Sequence, residues 1–193
     1  RPFRIKQGPA FRKHVRDAAA FLGPALALRR SVFLADANAL VIEQGLLLEL
    51  LDIVIAELPV APLRLAGDER RRWLAQHPAA LQGIYSFVDA FTTQHKDEDD
   101  YRQMAERGLR RVYIGLESGD DEVLQFLHKG SSAADAVGAV RTIKAAGVDV
   151  GVILMLGVGG HGHSAQHVRR PIGALHDMAL GAHDIVYFSP FVE

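Results

Sequence analysis

Residues 108–160 read GLRRVYIGLESGDDEVLQFLHKGSSAADAVGAVRTIKAAGVDVGVILMLGVGG, and the alternation inside this stretch decides the fold. Val112, Tyr113, Ile114 and Leu116 make a short apolar run rich in strand formers, which stops at Glu117, Ser118 and Gly119. Asp120 and Asp121 then open a helix through Val123, Leu124 and Leu127, with acidic side chains at its positive end and Gly130 beyond its last turn. A second helix starts at Ser131 or Ser132, presents Ala136, Val140 and Ile143 on one side, and stops at Gly147. From Val148 to Leu156 the chain is apolar on both faces apart from Asp149, the signature of a central strand in a parallel sheet covered by helices. It ends in Gly157, Gly159 and Gly160. Crossover helices leave the loops at the carboxyl ends of parallel strands converging on one face, so Glu117, Ser118 and the Gly157 turn are expected around one cavity.

The same rhythm extends outward. Ser31 to Ala35 reads as a strand ending in Asp36, and Gly83 to Ala90 as another exposing Ser86, Asp89, Thr92 and Thr93. Ile185 to Phe188 reads as the last strand. Helical spacing predicts helices over Phe11 to Leu22, over Leu46 to Leu58 before Pro59, and from the acidic cluster Asp97–Asp100 to Gly108. Asp68 can cap a short helix from Glu69 to Gln76 inside 59–82, which otherwise reads as an irregular, proline-punctuated insertion without a site. HGHSAQH, residues 161–167, is expected to be a loop leading into a helix around Ile172, Leu175 and Met178. Strands about 30 residues apart mark βα units. The residues therefore imply an α/β fold, a parallel sheet or barrel with outer helices, formed as a single domain over 1–193.

Composition narrows function. With 22 basic and 23 acidic residues the charge is near zero, so no electrostatic nucleic-acid signal stands out, and Arg70-Arg71-Arg72 reads as a solvated helix face. No apolar run approaches the roughly 20 residues of a membrane span. The first residue is Arg1, which suggests that the natural amino terminus lies upstream. Cysteine is absent, which excludes disulfides, cysteine-ligated zinc and a cluster held by this chain's own thiolates. His161, His163 and His167 have no carboxylate among them to complete a metal site, and none is expected there.

The strings GLRRVYIGLESGDDEVLQFLHKG and KAAGVDVGVILMLGVGG resemble the fourth and fifth βα units of radical S-adenosylmethionine (radical SAM) enzymes, in the branch of oxygen-independent coproporphyrinogen oxidases and Elp3/MiaB-like proteins. RSVFLADANAL resembles that family's second strand, and IYSFVDAF its third, so the likeness runs from about Ser31 to Phe188. RPFRIKQ is similar to the segment after the family's CxxxCxxC loop; the loop and the first strand are not in this sequence.

The resemblance implies a partial (β/α)6 barrel of parallel strands with outer helices, holding strands two to six, and a cytoplasmic enzyme that uses S-adenosyl-L-methionine and a 4Fe-4S cluster. An electron donor such as flavodoxin or ferredoxin drives reductive cleavage to a 5′-deoxyadenosyl radical, which acts on an unknown substrate. It places Asp36 against the methionine ammonium, Glu117 and Ser118 at the ribose and methionine end, Lys129 on the short helix against the methionine carboxylate, Ser86 at the polar third-strand position and Gly157 beside adenine. Two elements depart from the family pattern: Leu34-Ala35-Asp36 stands where it has Gly-Gly-Glu, and Gly160-His161 where its GxIxGxxE element ends in glutamate. This segment alone, without cluster ligands, is expected to be inactive, and no catalytic residue is assigned. The competing expectations are an ordinary (β/α) barrel lyase or isomerase with Glu117 and Lys129 as acid and base, and a degenerate barrel serving as a binding module.

Overall fold

The computed structural model describes residues 8–34, 38–62, 65, 67–90 and 96–190. Five strands, β1 (Val32–Leu34), β2 (Ile84–Val88), β3 (Leu109–Glu117), β4 (Asp149–Leu156) and β5 (Ile185–Pro190), form one sheet in chain order. Every neighbouring pair is parallel. Parallel neighbours need crossovers, and these are helical: α2 (Gln44–Glu57) and α3 (Gly67–Gln76) follow β1, and α4 (Glu98–Glu106) follows β2. Next come α5 (Asp121–Phe126) and α6 (Ala133–Ala145) after β3, then α7 (Gly160–Asp177) after β4; α1 (Gly8–Leu22) precedes β1. The fold is the expected α/β barrel wall, parallel strands flanked by helices.

Local chemistry sets the helix starts. Glu43 caps α2, its carboxylate accepting from the Gly45 and Leu46 amides, and those bonds hold its pKa below the usual carboxylate value. Asp97 with Asp100, and Ser132 with Asp135, close reciprocal capping boxes on α4 and α6. At the other end of α5, His128 takes the left-handed conformation at φ +55° and Lys129 N–H donates to the Leu124 carbonyl. The helix therefore ends at Phe126, four residues before Gly130, and Lys129 lies in the closing turn, not on the helix.

Strand period two sorts the sheet into two faces. Ile84, Ser86 and Val88 of β2, Val112, Ile114 and Leu116 of β3, and Val150, Val152 and Leu154 of β4 are buried under the helices. There they meet Leu47 and Leu51 of α2, Tyr101 and Met104 of α4, and Val140 and Ile143 of α6. The alternate residues, Tyr85, Phe87, Arg111, Tyr113, Gly151 and Ile153, line the opposite, concave face. Across the floor, Asp184 accepts from the Val150 and Gly181 amides and pairs with Lys144, tying β4, β5 and α6 together. Burial opposes ionisation of Asp184, but these donors outweigh it and keep its pKa low.

Two expectations change. The segment 161–167 is the start of α7, so the expected histidine loop is helical. The 59–82 segment contributes Ala61, Leu65 and Leu81 to the interior and a parallel bridge between Val60 and Leu81, and so is not merely an irregular insertion. Asp36 falls outside the described residues. Among the described residues no helix is long and apolar enough to cross a membrane.

The Tyr101 hydroxyl is buried without a hydrogen-bond partner, and burial pushes its pKa above the ordinary phenol value. Replacing the hydroxyl with hydrogen removes an unsatisfied polar group at nearly constant shape, so Tyr101→Phe is expected to stabilise the protein by about 1 kcal/mol. Urea denaturation checks this; a destabilised variant would show that the hydroxyl has a partner.

Candidate active site at the strand ends

The tip of β3 departs from regular strand geometry at the residues the sequence singles out. Between Gly115 and Glu117 the β3–β4 register shifts, so two steps of β3 oppose one of β4. Glu117 then adopts φ +58°, which disfavours a side-chain-bearing residue, and Ser118 N–H folds back onto the Leu116 carbonyl at 2.6 Å. Strain of this kind persists only where surrounding contacts over-determine it.

Those contacts are on the page. Ser118 is fully buried, and its hydroxyl accepts from the Asp120 amide at 3.1 Å and meets His167 Nδ1 at 2.9 Å. His167 Nε2 lies 2.7 Å from the Met155 carbonyl. A carbonyl can only accept, so Nε2 carries a proton and donates to it. Two residues on, the fully buried Asp120 pairs with Arg170 Nη1 at 2.5 Å. His167 and Arg170, one turn apart on α7, thus grip Ser118 and Asp120 beside the β3 tip. Gly119 completes the joint: a Cβ there would stand 2.4 Å from Pro171 N and 2.5 Å from the Arg170 carbonyl carbon. Proline sits inside α7 where the helix backbone presses on Gly119.

With the backbone so held, the Glu117 carboxylate folds back over Gly115, where a Cβ would stand 2.2 Å from Oε1, and pairs with Lys129 Nζ at 3.2 Å. Both side chains keep partial exposure, 16% for Glu117 and 25% for Lys129, so the pair is a solvent-reachable rim and not core. On the adjacent strand, Gly157 turns at φ +84°, and a Cβ there would meet no protein atom within 4 Å.

The expected site residues therefore separate. Glu117 and Lys129 come together, and Gly157 ends the neighbouring strand. Ser118 belongs to the buried joint beneath them. Ser86 is not exposed as expected: it lies on the helix side, fully buried, within 3.4 Å of the Leu34 carbonyl and 3.3 Å of the Phe87 carbonyl. The Asp120–Arg170 and Ser118–His167 links were not expected from the sequence. Their signal is the match of a two-residue spacing on a strand tip to a three-residue spacing on a helix.

The Radical SAM superfamily model matches residues 63–170, more than half of the chain. The chain belongs to the radical SAM superfamily. Solved structures share the fold at low identity. The archaeal Methanocaldococcus infernus Elp3 with an N-terminal deletion has a TM-score of 0.62 at 14% identity, over 94% of this chain and 42% of that one. Methylornithine synthase (PylB) gives 0.60 at 18%, over 98% and 45%, and HydG, a maturase of the [FeFe]-hydrogenase, 0.59 at 10%, over 100% and 38%. This radical SAM chain spans less than half the length of each. No curated protein matches it. Of the superfamily's groups, the 4Fe-4S cluster does not fit these residues, because the sequence has no cysteine to ligate iron.

Gly119→Ala is expected to cost about 1–3 kcal/mol or more, since the obstructing atoms are backbone. Ser118→Ala should cost about 1–3 kcal/mol by leaving His167 Nδ1 and the Asp120 amide unpaired. Denaturant midpoints check both; wild-type stability in Gly119→Ala would mean that α7 does not lie against the β3 tip.

Proposed function

We propose that the rim at the carboxyl ends of β3 and β4 binds S-adenosyl-L-methionine, and that the parent protein uses it for radical chemistry. The observation that carries this reading is the Glu117–Lys129 pair on the bulged tip of β3. The ligand is a zwitterion with a ribose, so it offers a carboxylate to Lys129, and an ammonium or ribose hydroxyls to Glu117. An ion pair on a solvent-reachable rim is worth only about 0–1 kcal/mol, so exchanging it for matched contacts to a zwitterion costs little. Gly157 supports the reading because its left-handed turn leaves open space above the end of β4. Asp36 is proposed as a further contact from the resemblance alone.

When bound, the cofactor supplies a 5′-deoxyadenosyl radical on one-electron reduction, and the family implies a 4Fe-4S cluster and a flavodoxin- or ferredoxin-like donor for that electron. This chain's residues would orient the ligand and limit water, with Lys129 holding its carboxylate and Glu117 its polar edge. Cluster ligation would come from a CxxxCxxC segment outside this sequence.

The test is calorimetric titration of the protein with S-adenosyl-L-methionine. Glu117→Gln and Lys129→Met should each weaken binding about tenfold, equivalent to about 1.4 kcal/mol, with unchanged circular dichroism. Binding that ignores both substitutions would remove the rim from the cofactor site. An ordinary lyase predicts instead activity in air, without iron, that Glu117→Gln abolishes.

A further inference from the structure

The concave face of the sheet has a layered chemistry that the rim does not use. Phe33 of β1, Phe87 of β2, Tyr113 of β3 and Tyr187 of β5 form a connected aromatic belt across it, with ring centroids 4.8–5.8 Å apart. Most of these contacts are tilted, at 56–58° between ring planes. Gly151 of β4 makes the belt continuous, because a Cβ there would stand 2.2 Å from Tyr113 Cδ1. The belt is not sealed: Phe33 and Phe87 are each 38% exposed and Tyr187 45%. Large apolar side chains gathered on one concave surface mark a binding face far more than scattered exposed ones do.

Below the belt, at the amino ends of the strands, the charge is unbalanced. Arg111 sits over the Tyr85 ring at 5.4 Å, donates to the His183 carbonyl at 2.6 Å and has one carboxylate near it, Asp149 at 3.6 Å. Arg70 reaches in from α3 to the Gln82 carbonyl, while Arg71 and Arg72 stay exposed, so only two of the three arginines form the expected solvated face. Arg110 packs over Gly83. Burial pushes the Arg70 and Arg110 guanidiniums down from their ordinary pKa, and each lies close enough to feel Asp149. Asp184, the other carboxylate of the floor, is committed to Lys144 and two amides. Among the described residues Arg70 and Arg111 thus share one carboxylate, Asp149, and Arg70 Nη1 and Arg111 Nε are buried without a hydrogen-bond acceptor. Buried donors of this kind call for an acceptor, and a planar guanidinium suits a carboxylate.

We propose that this concave face is a substrate chamber for a small planar aromatic carboxylate, its ring against Phe33, Phe87 and Tyr187 and its anionic group toward Arg111 and Arg70. In calling the ligand a substrate, the proposal rests on the rim reading above; the binding itself does not. The ring is favoured over an aliphatic chain because the tilted belt offers both faces and edges to an aromatic partner. The charge is favoured over a neutral group because only an acceptor bearing negative charge matches the surplus of guanidiniums.

The experiment is titration of the intact protein with 2-naphthoate as probe, against 2-naphthylmethanol, which lacks the charge, and cyclohexanecarboxylate, which lacks the ring. Saturable naphthoate binding is expected, with both comparators at least tenfold weaker. Phe87→Leu and Arg111→Gln should each weaken naphthoate at least tenfold, whereas Glu117→Gln should leave it unchanged. Thermal midpoints accompany each variant, and Phe87→Leu, which breaks no hydrogen bond, keeps the test valid should Arg111→Gln unfold. No saturable binding, equal binding of cyclohexanecarboxylate, or indifference to Phe87→Leu would overturn the proposal. Naphthoate binding in a protein that does not take S-adenosyl-L-methionine would sink the rim reading and leave the chamber standing as a ligand site.

Discussion

The hydroxyl of Ser118 is the joint on which the upper half of the molecule turns. It accepts a hydrogen bond from the Asp120 amide and meets His167 Nδ1, whose other nitrogen donates to the Met155 carbonyl. One buried hydroxyl therefore links the tip of β3, the first turn of α5, the body of α7 and the end of β4. Buried polar networks are costly unless every member is satisfied, and when satisfied they permit one arrangement only. The bulge, the left-handed Glu117 and the close approach of Gly119 to Pro171 all depend on that arrangement.

The site follows from the joint. Glu117 can reach Lys129 because the strand has slipped by one residue and because Gly115 leaves room for the returning carboxylate. Lys129 can meet it because His128 turns the end of α5 back toward the sheet. A bulge on one element and a turn on another thus bring together two charges twelve positions apart in the chain. A solvent-reachable pair of this kind contributes little to stability.

The sheet divides the molecule chemically as well as spatially. Its convex side is apolar, close-packed against α2, α4 and α6, and accounts for the hydrophobic drive to fold. Its concave side carries the charged rim, an aromatic belt and an arginine-rich floor in succession. Such a gradient follows from parallel strands in register: each pair of residues along a strand adds one layer to the inner face, so the order of residues becomes the depth of the chamber.

How much of this the letters carried can be read from particular residues. The strand from Val112 and the helices after it were legible because apolar period and glycine stops are local properties of the chain, and the GLESG string marked the tip. The likeness of 108–160 to the radical SAM family was legible for the same reason. The helical histidines were missed because Gly160 and Gly162 argue for a loop locally, while contacts of His167 and Arg170 with β3 favour a helix. Ser86 was read as exposed on its strand, but alternation turns it to the buried face. Arg70 was assigned to solvent with its neighbours, yet it faces the floor. Sequence alone determined the order of βα units and which end of the sheet gathers the polar strand tips, since both follow from local pattern and the handedness of crossovers. Only the tertiary structure decided which polar residues meet there, because that depends on a one-residue register shift and on helix-to-strand contacts about fifty residues apart in sequence, for which no short-range pattern exists.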